Sequence, residues 1–192
     1  MKRSKIIILN SPPMSGKDTI ANLMMLNSLV DMQASFKKPL FDVARGVLGE
    51  RNFRIFMEKY NDRATKEKPS PILNGKSPRQ FLISISEDFI KPVMGDDYMG
   101  RYMADYVADA GADIVISDGG FDAEIMPLID AGHDVRVFKL YRDGYTFKGD
   151  SRDYINVPDS ALEYSLKLID GDPEDAVKSI AFLAKLDPKT EL

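Results

Sequence analysis

The residues with the clearest chemical potential lie near the start of the chain, in Ser11-Pro12-Pro13-Met14-Ser15-Gly16-Lys17-Asp18-Thr19. An apolar run, Ile6 to Leu9, precedes them, and a segment of helical period follows. A strand, a loop of small residues and a helix N-terminus together suit a phosphate. Backbone N–H groups converge, the helix end is electropositive, and a lysine reaches the outer oxygens. The phosphate-loop pattern is Gly, four residues, Gly-Lys, then Ser or Thr. Here Ser11 stands at the first glycine and Asp18 at the hydroxyl.

Neither substitution removes the physical basis. Ser11 precedes a proline, which pushes its backbone to an extended geometry that does not demand glycine. Asp18 offers a hard carboxylate oxygen to Mg²⁺ where a hydroxyl is usual, and Thr19 supplies a hydroxyl one position later. The competing reading is a plain strand–turn–helix junction in which Gly-Lys-Asp-Thr only caps the helix.

A second acidic site weighs against that. Asp113-Ile114-Val115-Ile116-Ser117-Asp118 is a short apolar run that ends in Ser-Asp and is followed by two glycines. An Asp at that place positions Mg²⁺ in phosphate-loop proteins. Both motifs fall at the carboxyl ends of expected strands, where open α/β sheets bind their ligands.

These residues need a scaffold. Five runs read as strands: Lys5–Asn10, a weak Met32–Phe36, Asp113–Ser117, Asp134–Leu140 and Glu163–Ile169. Segments of helical period separate them, including Asp18–Val30, Pro39–Leu48 and Arg51–Tyr60, so an α/β fold with a mostly parallel five-stranded sheet is expected. Two helix starts are explicit. Ser77-Pro78-Arg79-Gln80 has a capping hydroxyl, proline at the first helical position and Gln three residues after the cap. Asp172-Pro173-Glu174-Asp175 opens the last helix. Two polar stretches, Asn61–Lys76 and Arg142–Pro158, read as long loops of functional kind.

With 192 residues, 44% hydrophobic and 29% charged, the chain suits one soluble globular domain. A net charge of -4 opposes bulk binding to nucleic acid or membrane surfaces, so any anion site must be a local pocket. The chain has no cysteine, which fits a reducing cytoplasm. Lys2, Arg3 and Lys5 precede an apolar run too short for a signal peptide. No run approaches the roughly 20 apolar residues of a membrane span. His133, the single histidine, reads as turn filler.

Over roughly Lys5 to Leu186 the chain resembles the phage deoxynucleoside monophosphate kinases, a group of P-loop nucleotide kinases. The resemblance is carried by Ser15-Gly16-Lys17-Asp18-Thr19, Phe36-Lys37-Lys38-Pro39-Leu40, Lys66-Glu67-Lys68-Pro69 and Gly75–Leu82. Gly95-Asp96-Asp97-Tyr98, Ser117-Asp118 with Phe121 and Glu124, Gly149-Asp150-Ser151 and Asp170-Gly171 are also similar. Gly120 stands where that family tends to have arginine, and Ser86-Glu87-Asp88 with Lys91 replaces a Gly-Thr-Glu turn and its basic partner.

The resemblance implies a three-layer P-loop kinase domain over residues 1–192. It further implies a helical region for the acceptor nucleotide at about 37–110 and a lid at about 142–158. It implies transfer of the ATP γ-phosphoryl to a deoxynucleoside monophosphate with Mg²⁺, in the cytoplasm, as a homodimer, with small nucleotides as the only partners. Ser11, Met14, Ser15, Gly16, Lys17, Asp18 and Thr19 would hold the ATP phosphates, and Asp18 and Asp118 the metal. Lys37, Lys38, Arg45 and Arg79 would bind the acceptor, with Glu87 and Asp88 at a base edge. Arg142 and Arg152 would act with Lys17 on the transferring phosphoryl. Two alternatives stay open: a nucleotide-binding sensor without useful catalysis, and a kinase of another small acceptor such as dephospho-coenzyme A.

Overall fold

The computed structural model describes residues 3–150 and 152–189. Ser151, within one of the motifs above, lies outside them. The chain forms two compact units, one of Met1–Phe36 with Met99–Leu192 and the other of Lys37–Tyr98.

The first unit is built on five parallel strands: β1 (Lys5–Asn10), β2 (Met32–Ala34), β3 (Ile114–Ile116), β4 (Asp134–Tyr141) and β5 (Leu162–Lys167). Their order is β2-β3-β1-β4-β5. In register, Ile6 lies opposite both Ile114 and Val135. Continuous apolar runs such as Ile6-Ile7-Ile8-Leu9 suit strands covered on both faces, and all four residues are fully buried.

The helices α1 (Lys17–Leu26), α5 (Tyr98–Ala110) and α6 (Met126–Asp130) lead from or into these strands. The chain passes through α1 toward β2, and through α5 and α6 in the opposite direction across the sheet. Right-handed crossovers therefore put α1 on one face and the other two on the other. The α1 face holds a core in which Ile7, Leu9, Ile20, Met24 and Phe138 pack with Val177 and Ile180 of the last helix, α7 (Pro173–Ala184). Asp172 caps α7, accepting from the N–H of Asp175 at 3.1 Å. Because connections leave β1 and β3 in opposite directions, a crevice opens beyond their carboxyl ends.

The sheet is wholly parallel, and some elements are shorter than expected. α1 stops at Leu26 rather than running to Val30, since Ser28 takes a left-handed conformation (φ 52°) and turns the chain toward β2. β2 ends at Ala34 because Ser35 and Phe36 bond to Asp118 instead of to a neighbouring strand.

The second unit is helical. α2 (Lys38–Asn61) joins the two expected helical stretches but breaks at Gly49 (φ 70°, ψ 164°). Phe53, Phe56 and Leu82 are buried in this unit, and Phe56 and Phe81 meet edge to face at 5.8 Å. α3 (Pro78–Ser84) begins with the capping box foreseen from its sequence: Gln80 N donates to Ser77 Oγ, and Ser77 N donates to Gln80 Oε1. A wider π-helical turn, Ile85–Ile90, leads into α4 (Lys91–Met94). Pro92 has no N–H for an α-helical bond and its ring crowds the preceding turn, which accounts for the widening.

Candidate active site

Both strand ends that border the crevice carry the polar residues singled out above. After β1 the chain turns through Ser11–Gly16 into α1. Met14 and Gly16 both take positive φ, 67° and 103°, the second favouring glycine. The loop braces itself: the hydroxyls of Ser11 and Ser15 lie against each other, and their two hydrogens are shared among that contact, Leu140 O at 3.0 Å from Ser11 Oγ and Pro12 O at 2.8 Å from Ser15 Oγ. Ser11 thus supports the loop through its side chain.

Lys17 is only 7% exposed, and its Nζ donates to Pro12 O at 3.1 Å, which keeps the ammonium against the loop. Lys17, Asp18 and Thr19 occupy the first turn of α1, where N–H groups have no intrahelical acceptor and the helix end is positive. Asp18 and Thr19 are exposed. Arg142 adds a second cation here: Nη1 donates to Ser15 O at 3.4 Å and Nε to Asp170 at 2.6 Å, while the guanidinium lies 4.7 Å from the Tyr145 ring centre.

The β3 end connects directly to this loop. Ser117 Oγ donates to Asp18 Oδ1 at 2.7 Å. Asp118 accepts from Ser35 Oγ at 2.6 Å and from Phe36 N at 3.1 Å. These bonds fix the attitude of the Asp118 carboxylate at the end of β3. The two carboxylates are chemically suited to Mg²⁺, which keeps several waters and needs only one or two protein oxygens beside phosphate. Among the described residues, no group of three His, Asp or Glu side chains forms a metal cage.

Arg152 belongs to the same region. Its Nε and Nη2 donate to the two oxygens of Asp150, at 2.8 and 2.9 Å. That bond, and more weakly the charges of Asp118 and Glu124, hold the guanidinium above the ordinary arginine pKa despite burial. Buried Glu124 accepts from Gly120 N and Phe121 N, both at 3.1 Å, and so shapes the turn after Asp118.

Of the loop expected to act as a lid, the later part is bound down. Asn10, fully buried at the end of β1, donates to Asp153 O at 3.1 Å and accepts from Ile155 N at 2.9 Å. Asn156 donates twice to Asp122. The Tyr154 hydroxyl donates to Leu140 O at 3.0 Å, and burial raises its pKa to about 12. Asn10, Ser117 and Asp150 were not singled out as site residues by the sequence. A buried amide ending an apolar strand is a signal for Asn10; the other two act through partners distant in the chain.

The expected acceptor-binding residues all lie in the second unit. Lys38 pairs with Asp42 at 2.9 Å. Arg45 stacks on Phe53 at 4.7 Å and reaches Glu50 at 3.7 Å. Arg79, in the first turn of α3, reaches Glu67 at 3.4 Å. Glu87 pairs with Lys91 at 2.6 Å, and Asp88 is exposed. Lys37 precedes α2. A cavity of about 450 Å³ within this unit is lined by Val47, Asn52, Ile72, Lys76 and Phe81, apart from these residues. His133 lies between a turn and the start of β4 and is buried, with Nε2 3.4 Å from Ala104 O.

No protein-family model and no curated protein matches the chain. Among solved structures, it is similar to the tunicamycin resistance protein of Deinococcus radiodurans, with a TM-score of 0.50 and 14% identity. That alignment covers 98% of this chain and 100% of the other. An unliganded sugar kinase from a Janibacter species aligns over 97% and 96%, with a TM-score of 0.49 and 14% identity. The architecture is an α/β fold, a five-stranded parallel sheet with flanking helices. Among the described residues, no helix is long and apolar enough to cross a membrane.

Proposed function

We propose that the protein is an ATP-dependent kinase that phosphorylates a deoxynucleoside monophosphate. The observation that carries this reading is the meeting of Lys17 and Arg142 on one β1–α1 loop whose Asp18 is bonded to the β3 end through Ser117. Phosphoryl transfer asks a protein mainly to position reactants and to neutralise charge.

The loop amides and the first turn of α1 receive the β- and γ-phosphates of ATP, and the Lys17 ammonium turns from Pro12 O to their oxygens. Asp18 and Asp118 hold Mg²⁺, which supplies charge neutralisation on the triphosphate. Arg142 and Arg152 face the charge that spreads over the transferring group. An acceptor phosphate oxygen forms a bond to the γ-phosphorus as the bond from that phosphorus to the β-bridging oxygen breaks, and ADP leaves. The resemblance to nucleotide kinases assigns the acceptor to the second unit. There, Arg79 behind its capping box is the first candidate cation, followed by Lys37, Lys38 and Arg45, with Glu87 and Asp88 at the base.

Purified protein with ATP, Mg²⁺ and each deoxynucleoside monophosphate in turn provides the test, by coupled ADP release. Acceptor-dependent release is expected with at least one base, and Lys17→Ala is expected to lower kcat/KM by about a hundredfold or more. ATP binding with no acceptor-dependent release would instead identify a nucleotide-binding protein without transfer.

A further inference from the structure

A guanidinium delivers its charge through a flat, directional fork, so an arginine that meets phosphate must be held in a set attitude. Arg152 is held on two sides. The Asp150 carboxylate takes its Nε and one Nη2 hydrogen in a bidentate pair, and the Asp150 side chain is only 6% exposed. A guanidinium has five N–H donors, so the remaining ones stay available to an anion.

The other side is Gly120. A Cβ built there would lie 2.8 Å from Cβ, Cγ and Cδ of Arg152. These atoms form the root of the side chain, which cannot swing aside without moving the backbone. That backbone is itself tied, since Asp153 O accepts from buried Asn10. The absent side chain at 120 is therefore the slot in which Arg152 lies.

We propose that Asp150 and Gly120 are positioning residues that hold Arg152 as a permanently placed phosphate-binding cation, in contrast to one delivered by loop closure. This deepens the kinase reading and rests on it. Substitution at either position is expected to act through Arg152.

Calorimetric titration with ATP and Mg²⁺ tests this on wild type, Arg152→Gly, Asp150→Asn, Gly120→Ala and the double variant Gly120→Ala/Arg152→Gly. Each single variant should bind ATP about tenfold more weakly, the scale of a lost charge-assisted hydrogen bond. The double variant should bind no more weakly than Arg152→Gly, because the new methyl group has nothing to displace. Millimolar guanidinium chloride should restore affinity to Arg152→Gly, which a purely structural role would not produce. If thermal melting shows Gly120→Ala unfolded, Asp150→Asn carries the test, since it keeps the side-chain shape.

Wild-type affinity in Arg152→Gly, in Asp150→Asn or in folded Gly120→Ala would overturn the proposal, as would multiplicative losses in the double variant. Acceptor-dependent ADP release, measured in parallel, separates the two readings. The binding pattern without turnover would sink the kinase reading alone, and turnover without the pattern would sink the positioning role alone.

Discussion

Asp18 is the residue whose type departs furthest from the phosphate-loop pattern, and its surroundings say what it does. One of its oxygens is held by Ser117, and the side chain is exposed at the first turn of α1. A carboxylate in that place favours a cation as well as the N-terminal end of the helix dipole. Asp18→Asn is expected to raise the Mg²⁺ concentration for half-maximal rate by about tenfold, the scale seen when groups that support a metal are altered. A rate titration with Mg²⁺ at saturating ATP measures it; an unchanged midpoint would remove Asp18 from the metal site. Lys17 and Asp18, at a helix start, and Asp118, just beyond a strand end, were legible as polar residues of the right type. The bonds that orient them were not. Asn10 meets residue 155 and Ser11 meets residue 140, and local composition carries no record of such contacts.

Elements were legible where side-chain chemistry acts locally. The strand Lys5–Asn10 and the starts of α3 and α7 follow from an apolar run and from capping residues, and the structure has all three. Capping is measurable at Ser77, whose hydroxyl and backbone both take part in the reciprocal bonds with Gln80. Ser77→Ala is expected to cost about 1 kcal/mol of stability, read as a lower midpoint in urea at unchanged slope. Two departures have different causes. β2 ends early because a tertiary partner, Asp118, captures the next two residues, whereas the π-helical turn before Pro92 answers the proline locally. The polar stretch Arg142–Pro158 read as a loop from its residues, but the anchoring of Asp153, Tyr154 and Ile155 depends on partners in β1 and at the end of β4.

For the whole molecule, alternating strands and helices implied a parallel sheet, while strand order was not written in any one segment. It emerges from right-handed crossovers in two directions, and that reversal brings the loops after β1 and β3 together. Binding at such a crevice is linked to global stability. ATP with Mg²⁺ at about a hundred times its dissociation constant should add about 2.7 kcal/mol. For a chain of this size that raises the melting temperature by about 5–10 °C, and Lys17→Ala should lose most of the shift. The most direct measurement of the central claim is the fate of the γ-phosphoryl, followed by phosphorus NMR in a mixture of protein, ATP, Mg²⁺ and a deoxynucleoside monophosphate. The account predicts a new diphosphate β-phosphorus signal from the acceptor that grows in step with ADP. ADP accompanied only by inorganic phosphate, or no ADP with any of the acceptors, would contradict it.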